Sequence, residues 1–203
     1  MEIFFGFLGV LVGSAIPWIK EEWHRKRSKK ENGQFSAVRI ISVLDEYAQK
    51  CVAVVGDDGT SEGRPAGRTE QGEEYRVTQA STPEPPVYPD DIDWRSIPVS
   101  IMYRALALPN AAGDTDRYIS HSADVACPPD FDELFDTRQE GYARLGLEAL
   151  SIADDLRDEF LLPADPRKFY NLEWNTKTFF EEKVNGFQQR HQNDQMTSAK
   201  EVA

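Results

Sequence analysis

The chain has 203 residues, with 23 Lys and Arg against 35 Asp and Glu, a net charge of −12 and 40% hydrophobic residues. So acidic a chain repels phosphate backbones, which excludes nucleic-acid binding by its main body. Its two cysteines, Cys51 and Cys127, have no CxxC spacing and make neither a disulfide framework nor a thiolate metal site.

Residues 3–19, IFFGFLGVLVGSAIPWI, carry no ionisable side chain. As a helix they cover roughly 25 Å, at the short end of what a hydrocarbon core of about 30 Å requires. The sequence therefore predicts a single N-terminal transmembrane helix as an anchor over residues 1–19. Trp18 and Trp23 fall where amphipathic rings settle at a membrane interface. Six basic residues follow between Lys20 and Lys30, among them Arg25, Lys26, Arg27, Lys29 and Lys30. This basic juxtamembrane collar, residues 20–32, predicts a single-pass protein with its N-terminus out and its C-terminal domain cytoplasmic. A bacterial inner membrane suits such a chain, and the lipid bilayer becomes an expected partner. A cleaved signal peptide is the rival reading, because Gly13-Ser14-Ala15 offers small residues; Glu2, in place of a positive n-region, argues against it. Gly6, Gly9 and Gly13 share one stripe of the anchor, and Gly9–Gly13 is a GxxxG pair, so a homodimer contact is expected there.

The charge divides unevenly. Residues 1–32 hold six basic and four acidic side chains, and residues 33–203 hold seventeen and thirty-one. Residues 33–188 read as one acidic α-helical domain, long enough to bury a core of its own. Phe35, Val38, Ile41, Leu44, Ala48, Cys51 and Val55 recur at helical spacing over 34–55, and Gly56-Asp57-Asp58-Gly59 is a turn signal. Residues 56–92, rich in Gly, Pro, Ser and charge, predict a long flexible loop. A helix over 93–110, ending at Pro109, and a weaker one over 111–126 come next. The clearest periodicity runs through 130–162, where Phe131, Phe135, Arg138, Tyr142, Leu145 and their successors step at about 3.6 residues. Asp130 with Glu133 resembles a capping box, and Pro163 marks the stop. Gly141 and Gly146 in this helix suggest that a neighbouring helix approaches closely. A last helix over 165–190 precedes a disordered tail, 189–203. The fold class is all-α: a transmembrane anchor followed by a cytoplasmic bundle of four to five helices.

No catalytic, cofactor or metal constellation emerges. His24, His121 and His191 lack the spacing of a HExxH or ExxH motif, and no P-loop, dinucleotide fingerprint or GxSxG elbow is present. The acidic groups Asp90, Asp91 and Asp93, and Asp130, Asp132, Glu133 and Asp136, read as solvated helix starts. Asp154 and Asp155 read as the wet face of the longest helix. The expected function is a membrane-anchored, non-enzymatic interaction or scaffold protein with an unknown protein partner. The alternative is a membrane-tethered enzyme or metal-binding bundle whose carboxylates converge only in the fold, for instance Glu140, Glu148 and Asp154 with His121.

Overall fold

The computed structural model describes the backbone of residues 2–61, 63–126, 131–164 and 174–201, and the side chains of 21–22, 27–61, 63–124, 126, 131–164, 174–193 and 195–197. Four helices dominate: α1 (Glu2–Val55), α2 (Val99–Val125), α3 (Asp132–Phe160) and α4 (Thr176–Glu201), with a short 3-10 turn, η1 (Trp94–Ser96), ahead of α2. The only strands among the described residues are the two-residue β1 (Gly67–Arg68) and β2 (Glu74–Tyr75), paired antiparallel.

The expected membrane anchor is corrected. Among the described residues no helix is long and apolar enough to cross a membrane. The backbone shows no boundary at residue 19: the apolar run, the basic collar and the core-packing stretch are one continuous helix, α1. The described side chains of α1 before Gly33 are mostly exposed and polar, Arg27, Lys29 and Lys30 among them. Transmembrane and single-pass character, a bilayer partner, the N-out placement and an inner-membrane location thus have no support in the fold, and neither does a dimer through the anchor. The side chains assigned to those roles at Gly6, Gly9, Gly13, Trp18, Trp23, Arg25 and Lys26 lie outside the described residues.

The all-α class stands, and α3 is its hub: α1, α2 and α4 all pack on it. Its stripe works as predicted at Tyr142, Ala149, Ile152 and Leu156, which are fully buried. Each large apolar side chain so removed from water contributes about 2 kcal/mol. The same arithmetic fails at the start of the α1 stripe. Phe35 and Val38 are 56% and 54% exposed, and Ser36, Ala37 and Ile40 are buried there instead, while Ile41, Leu44, Ala48, Cys51 and Val55 are buried as the stripe predicts. Gly33 and Gln34 pack on the end of α3, where the Phe160 ring lies against Gly33 and the Gln34 amide donates to the Phe160 carbonyl at 3.1 Å.

Glycines set two close approaches. A Cβ on Gly146 would stand 2.4 Å from the Phe180 ring of α4, and one on Gly141 would stand 2.6 Å from Thr115 Cγ2 of α2. The helix ends are chemically distinct. Asn175 Oδ1 caps α4 by accepting from the amides of Lys177 and Thr178 at 3.0 and 3.3 Å. At the C-terminal end of α3, Leu161 turns left-handed, and the Leu162 amide closes back on the Arg157 carbonyl at 2.9 Å. The capping box expected from Asp130 lies outside the described residues. The backbone of 189–201, read as a tail, continues as α4.

The two helices predicted over 93–110 and 111–126 are one, because α2 runs through Pro109. A proline has no N–H for the carbonyl four residues back, here that of Ala105. The Tyr88 hydroxyl supplies the missing donor at 2.8 Å. Tyr88 comes from the 56–92 segment, which is fastened to the bundle at several points. Asp57 is the main one. Its carboxylate accepts the amides of Gly59, Gln79 and Ala80, each at 2.9 Å. The buried Arg138 of α3 sits 3.5 Å from the same carboxylate and donates to the Ala80 carbonyl at 2.7 Å. Gly59, with φ of +78°, makes the turn under the Phe135 ring where no side chain would fit.

Candidate functional site

A concave surface lies along α3, between α2 and α4. It consists of two adjoining hollows of about 920 and 560 Å³ that share Thr115, Gly141 and Arg144. The floor is α3, and the walls are α2 and α4. The absence of a side chain at Gly141 lets Thr115 settle close to α3, which keeps the middle of the floor low.

The smaller hollow is mainly apolar, with Tyr103, Leu108, Leu147 and Val184 around it. Tyr103 is 73% exposed there. Its charged corner is Arg104, whose Nε donates to Glu148 at 2.7 Å and whose Nη2 donates to Ser151 Oγ at 3.0 Å; Asp155 is also in contact. The Glu148 and Asp155 carboxylates hold this guanidinium more firmly protonated than usual. The larger hollow is polar. Glu140 lies between Arg144, at 2.7 Å, and His191 Nε2, at 3.5 Å. Arg190 reaches Asp136 at 2.9 Å while its guanidinium covers the Phe187 ring at 4.4 Å. Tyr118, 67% exposed, stands on the α2 wall together with His121.

The convergence expected for a metal-binding bundle is corrected on the same geometry. Glu140 and His121 do line one hollow, but Glu148 faces Arg104, and Asp154 faces Arg157 and Lys177 on other flanks of α3. Among the described residues no group of three or more His, Cys, Asp or Glu could hold a metal ion. The acids ahead of α2 are divided in the same way: Asp93 caps η1 and Asp91 pairs with Arg39 at 3.2 Å. Asp154 and Asp155, read as a wet face, are partly buried ion-pair partners.

The buried polar residues are structural. Arg157 of α3 binds Asp45 of α1 at 2.6 Å, and the Tyr142 hydroxyl donates to Asp116 Oδ1 at 2.5 Å. Burial pushes the Cys51 thiol up to about 12, which leaves it an inert core residue, as its place on an apolar face suggested. Cys127 lies outside the described residues. The groove itself had no signature in the sequence: Tyr118, which helical spacing set inward on the 111–126 helix, is exposed along it together with Tyr103. Compared in turn with protein families, curated proteins and solved structures, the chain matches none.

Proposed function

We propose that this protein is a non-enzymatic interaction module that docks a helical segment of another protein in the α2–α3–α4 groove. One observation carries the reading: α2 and α4 both pack on α3, and the trough left between them has an apolar stretch of floor and wall. A helix laid into such a trough buries apolar area against three neighbours, the usual way an amphipathic helix is recognised. The groove acids and bases support binding over catalysis, because Glu140, Asp136 and Glu148 are each engaged by an arginine. No nucleophile with an adjacent base stands among the described residues that line it.

The test is a selection of displayed 18-residue helical peptides on the immobilised full chain, with Ala111→Trp as the blocked control. Ala111 is exposed and lines the groove, so an indole there fills the trough and leaves the core intact. The expected result is enrichment of helices with an apolar stripe on the wild type, with at least a tenfold loss of affinity on Ala111→Trp at unchanged thermal stability. Equal binding to both proteins, or no enrichment, refutes the reading.

A further inference from the structure

The two ends of the groove differ in charge, and on the docking reading above this difference selects the kind of helix that fits. Around the larger hollow four carboxylates, Asp114, Glu133, Asp136 and Glu140, face two guanidiniums, Arg144 and Arg190. Around the smaller hollow the charges balance, with Arg104 and the shared Arg144 against Glu148 and, on the far side of Arg104, Asp155, set in an apolar lining. At the acidic end Arg144 pairs with Glu140, Arg190 with Asp136 and Arg117 with Asp114, so Glu133 is the lining carboxylate that stands outside these pairs. Glu133 and Asp136 are both exposed at the α3 start, Glu133 within reach of anything lying in the trough. The surrounding chain is itself strongly negative, at −12, so the field of the whole protein reinforces this end.

We infer that the groove takes an amphipathic helix of a partner protein that is apolar along one half and carries Lys or Arg in the turns lying over Glu133, Asp136 and Asp114. The α2 wall from Tyr103 to His121 sets the length. At about 1.5 Å per residue it spans roughly 27 Å, or about five turns of a docked helix. Charge order also fixes orientation: reversing the helix would set its basic turns beside Arg104 and its apolar turns among carboxylates, and like-charge contact works against the wrong partner more than attraction favours the right one. A second copy is disfavoured as occupant, because two chains of −12 repel.

The peptide selection decides this separately from docking as such. Peptides enriched on the full chain are expected to carry two or more Lys or Arg clustered at one end. Their affinity is expected to fall at least tenfold on the double variant Glu133→Lys/Asp136→Lys and to weaken as salt is raised from about 50 to about 500 mM. Both positions are exposed, so the variant should keep the wild-type circular dichroism spectrum, with its melt lowered only by the lost Asp136–Arg190 pair and first-turn acid. Helices enriched without a basic end, or bound equally by the double variant, overturn the charge order while docking stands. No helix preferring the wild type to Ala111→Trp overturns both. Sedimentation showing a dimer of the full chain that dissociates in the double variant also overturns the inference, because the occupant is then the basic stretch of a second copy.

Discussion

Removing the Tyr88 hydroxyl tests the account of α2 most directly. Pro109 sits inside that helix and leaves the Ala105 carbonyl without its backbone donor. Ala105 is fully buried, so water cannot replace the lost bond, and the Tyr88 hydroxyl does so at 2.8 Å. Tyr88→Phe leaves that acceptor unpaired in the core at a cost of about 2 kcal/mol. The Trp94 ring, edge-on to the Tyr88 ring with centroids 5.4 Å apart, keeps the substituted ring in place, so packing loss adds little. Pro109→Ala restores an N–H four residues after Ala105 and is expected to stabilise, since Pro in a helix interior costs about 3 kcal/mol relative to Ala. In that background Tyr88→Phe should cost only about 1 kcal/mol, the net worth of a hydrogen bond to an acceptor that already has a partner. The double-mutant cycle, measured by urea unfolding followed by circular dichroism, should therefore show a coupling of about 1 kcal/mol. Equal costs of Tyr88→Phe in the two backgrounds would refute the argument that the hydroxyl stands in for the missing amide.

Other substitutions have opposite or conditional outcomes. Gly146→Ala is expected to destabilise by about 1–2 kcal/mol despite Ala's better helix propensity, because the added Cβ meets the fully buried Phe180 ring at 2.4 Å; Phe180→Leu should recover part of the loss in thermal melts. Gly186→Ala on α4, where a Cβ meets nothing within 4 Å, should stabilise by up to about 1 kcal/mol. Asp57→Ala should cost about 3–5 kcal/mol in chemical denaturation, since it strands the buried Arg138 and removes the partner of three amides. In a Cys127→Ala background, the Cys51 thiol, held up to about 12 by burial, stays protonated in mildly alkaline buffer. It should resist iodoacetamide there and react fully in urea, and labelling without urea would show that α1 opens locally.

The α3 helix was legible in the sequence because its apolar period continues without a break for most of its length, and burial follows that period. Arg138 was the anomaly in that stripe, and it proved informative: a charge on a core face implies a buried partner, here Asp57, eighty-one positions away. Asp57 had read as an ordinary turn residue, because a side chain that accepts its own turn amide looks the same locally whether or not an arginine waits across the core. Phe35 and Val38 misled for a related reason. Helical spacing gives the period but not which of two adjacent faces is covered: past Gly33, Ser36, Ala37 and Ile40 take the buried positions and leave Phe35 and Val38 facing out. Pro109 suggested a helix boundary because a local rule cannot see a distant tyrosine, Tyr88, completing the hydrogen bond. The charge of the α3 flank was visible residue by residue, but the groove depends on where α2 and α4 come to rest.

That division between core and groove has a consequence for how the protein can change. The residues that hold α3 in place, Tyr142, Ala149, Ile152 and Leu156, are fully buried, whereas Tyr103, Ala111, Tyr118, Glu133 and Asp136 along the trough are exposed. A substitution on the first set alters the volume of a close-packed interior and is felt at once as lost stability. One on the second set meets solvent or, at Asp136, an exposed ion pair, and changes stability by no more than about 1 kcal/mol, so recognition can be retuned largely independently of folding. Arg144 and Arg104 bridge the two sets, because each engages a carboxylate of α3 while lining the trough. Replacing Arg104 with Met, close in length but uncharged, should leave Glu148 and Asp155 facing the apolar hollow and turn that end acidic as well. The groove would then lose the charge difference between its ends. Peptides selected on the wild type should bind Arg104→Met in either orientation, which paired labels at the two peptide termini would report as two cross-linked products in place of one.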